Sequence, residues 1–435
     1  MRRKGLLVVL ALMGLLFAGC QQDQVVEEDE KDYEKPLPPG QLALRKITDP
    51  SQIPDFTIAA CDTSNLRSAI KNSLNYMAKP SSQQFFPYGD ISHRKVVASL
   101  QEFVNMLDSG LSGRELAAAI KRKYDVYISV GCDNMGTVLF TGYYTPIFDG
   151  SMKRTARFKY PLYSKPDDLV KGANGEILGR RTANGSIVDY PSRTDIEASD
   201  MLEGNELVWL SDPFEVYIAH VQGSAKIRLP DGKLITVGYA ATNGHKYQSV
   251  SKQMLKNSAI PADKMSLKAM IDYFKVHPEE VDDYVSQNPR FVFFQISRGA
   301  PRGSLNEPVT PWRTIATDKS VYPRASLVFM SSKMPRSIGG RTVTSNYTGF
   351  VLDQDTGGAI RAPGRCDVYL GQGEEAGRLA GQVYHEGKLY YLFLKPEHMP
   401  SNVFASPDDS SGAGTGGSSN TWRSRSQSQQ REEWE

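Results

Sequence analysis

The sequence predicts a mainly β protein with a helical N-terminal part. Three observations lead there. Aromatic residues and glycine are plentiful, with 21 Tyr, 17 Phe and 37 Gly in 435 residues, a composition suited to short strands separated by turns. Apolar residues recur at helical spacing only over residues 62–125 and in one later interlude. From Val126 onward that period gives way to short apolar runs punctuated by turn residues. A chain of this length exceeds one ordinary core and divides into two or three domains. Its 51 basic and 49 acidic residues leave a net charge of +2, without the basic excess that nucleic-acid binding uses.

At the N-terminus, Arg2, Arg3 and Lys4 precede an apolar run from Gly5 to Phe17. That run of about 13 residues falls short of the roughly 20 that span a bilayer. Residues 1–20 therefore read as a secretory signal peptide rather than a membrane anchor. The exit Leu16-Phe17-Ala18-Gly19-Cys20 resembles a bacterial lipobox, which implies acylation of Cys20. Gln21 follows where Asp would signal retention, and this resembles an outer-membrane address. Residues 21–44 open acidic and Pro-rich and read as a flexible linker. Residues 401–435, dominated by Ser, Gly, Arg and Gln, read as a disordered tail.

Within the helical part, Leu66, Ile70, Leu74 and Met77 form one stripe, and Val96, Val97, Leu100, Val104 and Leu107 another. Both are core stripes. Ser112-Gly-Arg-Glu115 has the spacing of a capping box that opens a third helix, Glu115 to Lys123. Strands are expected at Val126–Val130, Val138–Tyr143, Glu215–His220, Lys226–Leu229, Lys233–Gly238, Phe291–Ile296, Ser326–Met330, Asp367–Leu370 and Lys388–Leu394. Pro230-Asp231-Gly232 predicts a hairpin turn, and Ser249–Phe274 a helical interlude. After Cys20 the cysteines are Cys61, Cys132 and Cys366, enough for one disulfide, and a Cys61–Cys132 bridge is left open. The six histidines are scattered without an HExxH-like pair, and the cysteine spacing fits no zinc pattern. Neither a metal nor another cofactor is expected.

Three acidic segments carry the chemistry: Thr314-Ile-Ala-Thr-Asp318, Leu352–Ile360 with Asp353 and Asp355, and Cys366-Asp367-Val-Tyr-Leu370. Strand alternation sets Cys366, Val368 and Leu370 on one face, and Asp367 with Tyr369 on the other. Strands disfavour Asp, so such a residue faces solvent, pairs with a donor or lines a site. For any one of these aspartates taken alone, an exposed edge or turn cap is the commoner explanation. Gly357-Gly358 lets a ligand approach the backbone, or simply makes a turn. No GxGxxG or P-loop pattern is present.

The ordered motifs make the chain similar to the membrane-bound lytic murein transglycosylase A family with its three-aspartate domain. They begin with Thr141-Gly-Tyr-Tyr-Thr-Pro146 and Tyr160-Pro-Leu-Tyr163. His220-Val-Gln-Gly-Ser-Ala225, Arg228-Leu-Pro-Asp-Gly232, Gly238-Tyr-Ala240, Asn243-Gly-His-Lys-Tyr247 and Asn288–Phe294 follow. Pro308–Asp318, Asp355–Ile360 and Gly364–Tyr369 complete the series, which covers about residues 140 to 396. The chain departs from the family pattern at Ala225, Trp312 and Cys366, which alters the surroundings of the site without removing a chemical group.

The resemblance implies a double-psi β-barrel domain, a smaller inserted β domain and a substrate cleft between them. Residues 45–142 and 303–400 would form the barrel domain and 143–302 the insert. It also implies non-hydrolytic cleavage of the β-1,4 bond between N-acetylmuramic acid and N-acetylglucosamine in peptidoglycan, with 1,6-anhydro ends. One carboxyl then serves as acid and afterwards as base, a role that falls to Asp367 with Asp355 beside it. Tyr144, Thr145, Gln222, Ser224 and Asp318 are expected to contact substrate, with Asp318 also a candidate for an orienting role. Tyr143 and Trp312 are candidates for sugar stacking or core, and Arg365 for the muramic lactyl or peptide carboxylate or plain surface. Partners would be glycan strands, the membrane through the lipid anchor and wall synthases. A monomer at the periplasmic face of the outer membrane is expected. Two other readings remain: a noncatalytic wall-glycan-binding lipoprotein, and a peptidoglycan hydrolase on the same fold with Asp318 as a second carboxylate.

Overall fold

The computed structural model describes residues 31–172 and 175–401. The signal peptide, Cys20, the first ten residues of the linker and all but the first residue of the tail lie outside the described residues. From Tyr33 onward the chain forms one unit by its internal contacts.

The helical stripes fold as spaced. Helices Leu66–Met77, His93–Asp108 and Gly113–Lys123 bury Leu66, Ile70, Met77, Val96, Val97, Leu100 and Leu107 in the main core, with Leu74 and Val104 packed at its edge. The second helix starts at Ser92, whose hydroxyl accepts from the Lys95 N–H. The expected capping box at Ser112 does not form. Ser112 is the N-cap, but its side chain makes no cap bond, and the Glu115 N–H bonds the Ser112 carbonyl instead, at 3.1 Å. Gly113, at φ +48°, turns the chain so that the backbone does the capping.

The main core lies between these helices and a closed ring of six strands. Around the ring run Val138–Thr145, Tyr384–Leu394, Leu327–Ile338, Arg341–Asp355, Thr314–Ala316 and Arg365–Gln372, which returns to Val138–Thr145. Two of the pairings are parallel, 314–316 with 341–355 and 365–372 with 138–145. Parallel neighbours need crossover connections, and this ring of mixed direction agrees with a double-psi barrel. Tyr124–Ser129 and Leu44–Lys46 extend the sheet beyond the Tyr384–Leu394 strand.

A second sheet occupies residues 147–297, in the order 292–297, 234–242, 224–228, 147–151, 206–210, 160–163. A single bridge between Ser164 and Phe294 brings its two edges together. It has its own core, including Leu162, Val208, Ile227, Val237 and Phe294. The hairpin turn at Pro230-Asp231-Gly232 is present, with Asp231 Oδ1 accepting from the Lys233 N–H at 2.9 Å. The interlude is two helices, Val250–Lys256 and Leu267–Val276, each capped by a serine, Ser249 and Ser266.

One expected strand is a helix. Residues 215–220 lie within the helix Pro213–Gln222. Asp212 caps it, accepting from the Phe214 N–H at 2.7 Å, Pro213 occupies the first turn, and Gly223 ends it at φ +70°. These start and stop signals outweigh the strand character of Val216, Tyr217 and Ile218. The open disulfide is also absent. Cys61 is exposed, its Sγ 3.3 Å from the Thr57 carbonyl, and no Cys61–Cys132 bridge forms.

Arg313 ties the helical part to the ring. Its side chain is 2% exposed and ion-pairs with Asp62 at 3.0 Å. Nε donates to the Ser64 carbonyl at 2.8 Å, Nη1 to the Phe350 carbonyl at 3.1 Å and Nη2 to the Asp62 carbonyl at 2.9 Å. Arg313→Met strands these acceptors without a donor and should cost about 3 kcal/mol. Urea unfolding reads this as a lower midpoint at unchanged slope; an unmoved midpoint would show that the clamp is dispensable.

Candidate active site

Four neighbouring strands bring the acidic segments together. Thr141 pairs with Asp367, Asp367 with Ala316, and Ala316 with Asp355. Asp355 and Asp367 are thus two strands apart, about 10 Å along the sheet at ordinary strand spacing. A bulge skips Gln354 between the partners of Ile315 and Ala316. The Gln354 amide is buried against the first long helix, donating to the Ala69 carbonyl at 2.7 Å and Ser73 Oγ at 2.9 Å.

The alternation expected around Asp367 holds. Cys366, Val368 and Leu370 are in the main core, while Asp367 and Tyr369 face the other way. The Tyr369 ring lies 5.1 Å from that of Tyr143, its in-register partner. Asp367 Oδ1 is shielded from solvent and has no hydrogen-bond partner. Burial pushes this carboxyl up to about 6, against the pull of the Arg365 guanidinium and with a further push from Asp355.

Asp355 is placed differently. Its Oδ1 accepts from the Ser304 and Thr356 N–H groups, both at 2.8 Å, and its Oδ2 from the Tyr143 hydroxyl at 2.8 Å. Burial raises its pKa, and these three donors oppose the rise. Such donors favour the charged carboxylate. Sequence reasoning did not find Ser304, whose contribution is a backbone N–H and leaves no side-chain signal.

Arg365 is not a surface arginine. Its side chain is 16% exposed, with Nη1 3.7 Å from Glu34 and Nη2 donating to Thr141 Oγ1 at 3.3 Å. Its Nε is buried without a partner. Thr145 Oγ1 lies 3.0 Å from the Tyr369 hydroxyl. Gln222, at the end of its helix, accepts from the Tyr144 N–H at 3.1 Å. Ser224, mostly buried, opens the next strand.

Two residues expected to contact substrate are engaged by the protein itself. Tyr144 turns its ring into the main core, so close to Gly377 that a Cβ there would lie 2.7 Å from the ring. Alternation along 138–145 sends it away from Tyr143. Asp318 is consumed by the protein. Its Oδ1 accepts from the Ser320 N–H and hydroxyl at 3.0 and 2.6 Å, and its Oδ2 from the Ala362 N–H at 2.8 Å. It fastens the loop that leads to the Asp367 strand, which suits the orienting role and not a second catalytic carboxylate. Trp312, at φ +61°, packs against the core with its ring 5.7 Å from Tyr347. The close approach allowed at Gly358 is made by the protein itself, since a Cβ there would lie 3.1 Å from Arg290 Nε.

Among the described residues, one group of potential metal ligands, His277, Glu279 and Glu280, brings its atoms within 4.8 Å of one another. It sits on one turn of the insert, apart in sequence from the barrel aspartates, and exposed acids cluster in this way without an ion.

Fold and site together define a mainly β protein whose six-stranded barrel carries Asp367, with one shielded and unbonded carboxyl oxygen, two strands from the fully bonded Asp355. The "MltA specific insert domain" model matches residues 139–295 and the "3D domain" model residues 313–393. The chain is 31% identical over 285 residues to the membrane-bound lytic murein transglycosylase A of Escherichia coli K12, covering 65% of this chain and 72% of that one. It belongs to the membrane-bound lytic murein transglycosylase A family. In fold it is similar to the membrane-bound lytic murein transglycosylase from Agrobacterium tumefaciens, with a TM-score of 0.67, 22% identity and coverage of 81% of this chain and 98% of that one. It is likewise similar to E. coli MltA crystallised with bound chitohexaose, with a TM-score of 0.62, 24% identity and coverage of 85% and 97%.

Removing one donor tests the Asp355 environment. Tyr143→Phe should raise the Asp355 pKa, because the charged form loses a hydrogen bond that the neutral form does not need. Carboxyl-carbon NMR titration would show the upward move; an unchanged titration would mean that the Tyr143 bond contributes nothing.

Proposed function

We propose that the chain is a peptidoglycan lytic transglycosylase that uses Asp367 as acid and then as base. One observation carries the reading. Asp367 is a carboxyl without a hydrogen-bond partner at Oδ1, shielded from water and pushed up to about 6, so it holds a proton at a pH where an ordinary aspartate has lost it. In the first half-reaction the Asp367 proton passes to the glycosidic oxygen that leaves with N-acetylglucosamine. The C1–O4 bond of the muramyl linkage breaks and Asp367 becomes a carboxylate. In the second half-reaction the carboxylate takes the proton of the muramic C6 hydroxyl, and O6 bonds to C1. The sugar closes as a 1,6-anhydro ring and the enzyme regains its starting proton. No water enters.

Asp355 supports this as a fixed negative neighbour. It is tied to three donors, two of them backbone N–H groups, and stands two strands from Asp367. Its oxygens are committed to the protein, which disfavours the nucleophile or second-base role that a two-carboxylate hydrolase needs. A noncatalytic glycan binder has no use for a carboxyl kept protonated. For the sugars we assign the Tyr143 and Tyr369 rings, the Thr145 hydroxyl, the amide of Gln222 and the Ser224 hydroxyl. The relatives' name includes "membrane-bound". Among the described residues no helix is long and apolar enough to cross a membrane. The lipobox-like exit at Cys20 supports its acylation and the periplasmic face of the outer membrane as the proposed location.

Asp367→Asn should abolish release of anhydro-muropeptides from purified sacculi, a loss of several powers of ten; a fully active variant would sink the assignment. The pH profile tests the neighbours. The acid must start protonated, so the rate should fall as pH rises through about 6. Asp355→Asn removes a charge that raises the Asp367 pKa, so the alkaline limb should move to lower pH. Arg365→Gln removes a charge that lowers it, so the limb should move to higher pH. Profiles that coincide with the unmodified enzyme would leave both residues with purely structural roles.

A further inference from the structure

A cavity of about 520 Å³ opens beside Asp355, lined among others by Phe85, Asp318, Lys319, Arg324, Thr356 and Arg361. It joins the loops that carry the site. Thr356 directly follows Asp355 and donates its N–H to it, and Arg361 lies in the loop between Asp355 and the Asp367 strand. Three cations and one acid line it, but not all are free to act. Both oxygens of Asp318 are taken by Ser320 and Ala362, and Lys319 is paired with the buried Asp353.

Arg324 and Arg361 remain, and neither forms an ion pair among the described residues. The Arg324 guanidinium lies over the Phe85 ring, with Cζ 3.7 Å from its centroid. Its Nε is buried without a well-formed hydrogen bond, with the Tyr76 hydroxyl, likewise unbonded, as its polar neighbour. The ring fixes the guanidinium and shields it from water without neutralising it, and a buried N–H without an acceptor is costly. The cavity therefore presents two guanidinium groups that no carboxylate of the described residues pairs. A forked guanidinium matches a planar carboxylate better than a point cation does.

The glycan strand is itself uncharged at its hydroxyls and acetamido groups. Its negative charge hangs from muramic acid, through the lactyl group and the peptide joined to it. We propose that this cavity seats a free carboxylate of that peptide, held by Arg324 and Arg361, so that the enzyme prefers strands whose muramic residues still carry peptides. This rests on the peptidoglycan reading above. A peptide seated here would place the muramic residue in register with Asp367 by binding a part of the substrate that does not react.

The test compares three substrates: peptide-bearing strands, amidase-trimmed strands that retain only lactyl carboxylates, and chitooligosaccharides that have neither. In the Arg324→Gln/Arg361→Gln double variant, the ratio of kcat/KM for peptide-bearing over trimmed strands should fall about tenfold, mostly through KM. Arg361→Gln alone, on an exposed loop, should lower it about threefold and guards against misfolding of the double variant. Arg324→Lys should recover only part of the ratio. An unchanged ratio overturns the proposal. So does an equal loss on peptide-bearing and trimmed strands with none on chitooligosaccharides, which would make the lactyl carboxylate the ligand. A separate arm needs no turnover: a synthetic stem tetrapeptide titrated into the full-length Asp367→Asn protein should shift the NMR signals of the Arg324 and Arg361 side chains, and these shifts should vanish in the double variant. If the peptide binds but the unmodified protein releases no anhydro ends, the inference stands and the transglycosylase reading falls. If anhydro ends form but no peptide binds, the inference alone is overturned.

Discussion

Ala316 has a backbone neighbour on each side, Asp355 across a parallel ladder and Asp367 across an antiparallel one. Its strand is three residues long and wholly buried. Much of the site depends on that register. In a β-strand a slip of one residue exchanges the two faces, so a slip of the Asp367 strand would send Asp367 into the core and Cys366 out of it. The apolar face of Cys366, Val368 and Leu370 forbids this, because those three side chains are already packed against the core. Hydrophobic burial on one side of the sheet thus holds a carboxyl in place on the other.

The acidic residues of this region differ mainly in the donors around them. Asp318 is surrounded by backbone and hydroxyl donors and organises a loop. Asp353, inside the ring, meets Lys319, Thr317 and the Tyr391 hydroxyl, and so is a buried charge with its partners in place. Asp355 keeps three donors while facing the site. Asp367 alone has an oxygen that is both shielded and unbonded. Removal from water raises both carboxyl pKa values, and the donors at Asp355 oppose the rise there, so one short stretch of sheet holds two carboxyls in unlike surroundings. Arg365 limits how far the rise at Asp367 goes.

Much of this is legible in the sequence where it depends on period. The stripes through Leu66 and Val96, the turn at Asp231-Gly232 and the facing of Asp367 opposite Cys366 follow from spacing alone. Tyr144 shows the limit of a motif read as a block: Tyr143 and Tyr144 both stand in Thr141-Gly-Tyr-Tyr-Thr-Pro146, yet alternation sends one ring to the site and the other to the core. Residues 215–220 have strand composition on their own, and only Asp212-Pro213 just before them carries the signal that starts a helix. The Ser304 N–H on Asp355 and the Arg290 side chain against Gly358 come from segments far apart in sequence. Only the closed ring and its neighbour bring them together, and no local pattern encodes such meetings.

The strand Tyr384–Leu394 bonds to three others, Val138–Thr145, Leu327–Ile338 and Tyr124–Ser129. A chain is made from its N-terminus, so Val138–Thr145 exists well before this partner does, and with Thr141 and Tyr143 it must wait for one. The sheet at 147–297 finds all its partners within itself and can assemble in the interval. Long-range pairing of this kind is slow. The strand that closes the ring is also the last of the described strands in the sequence, so the surroundings of Asp355 and Asp367 are complete only once the far end of the described chain is in place.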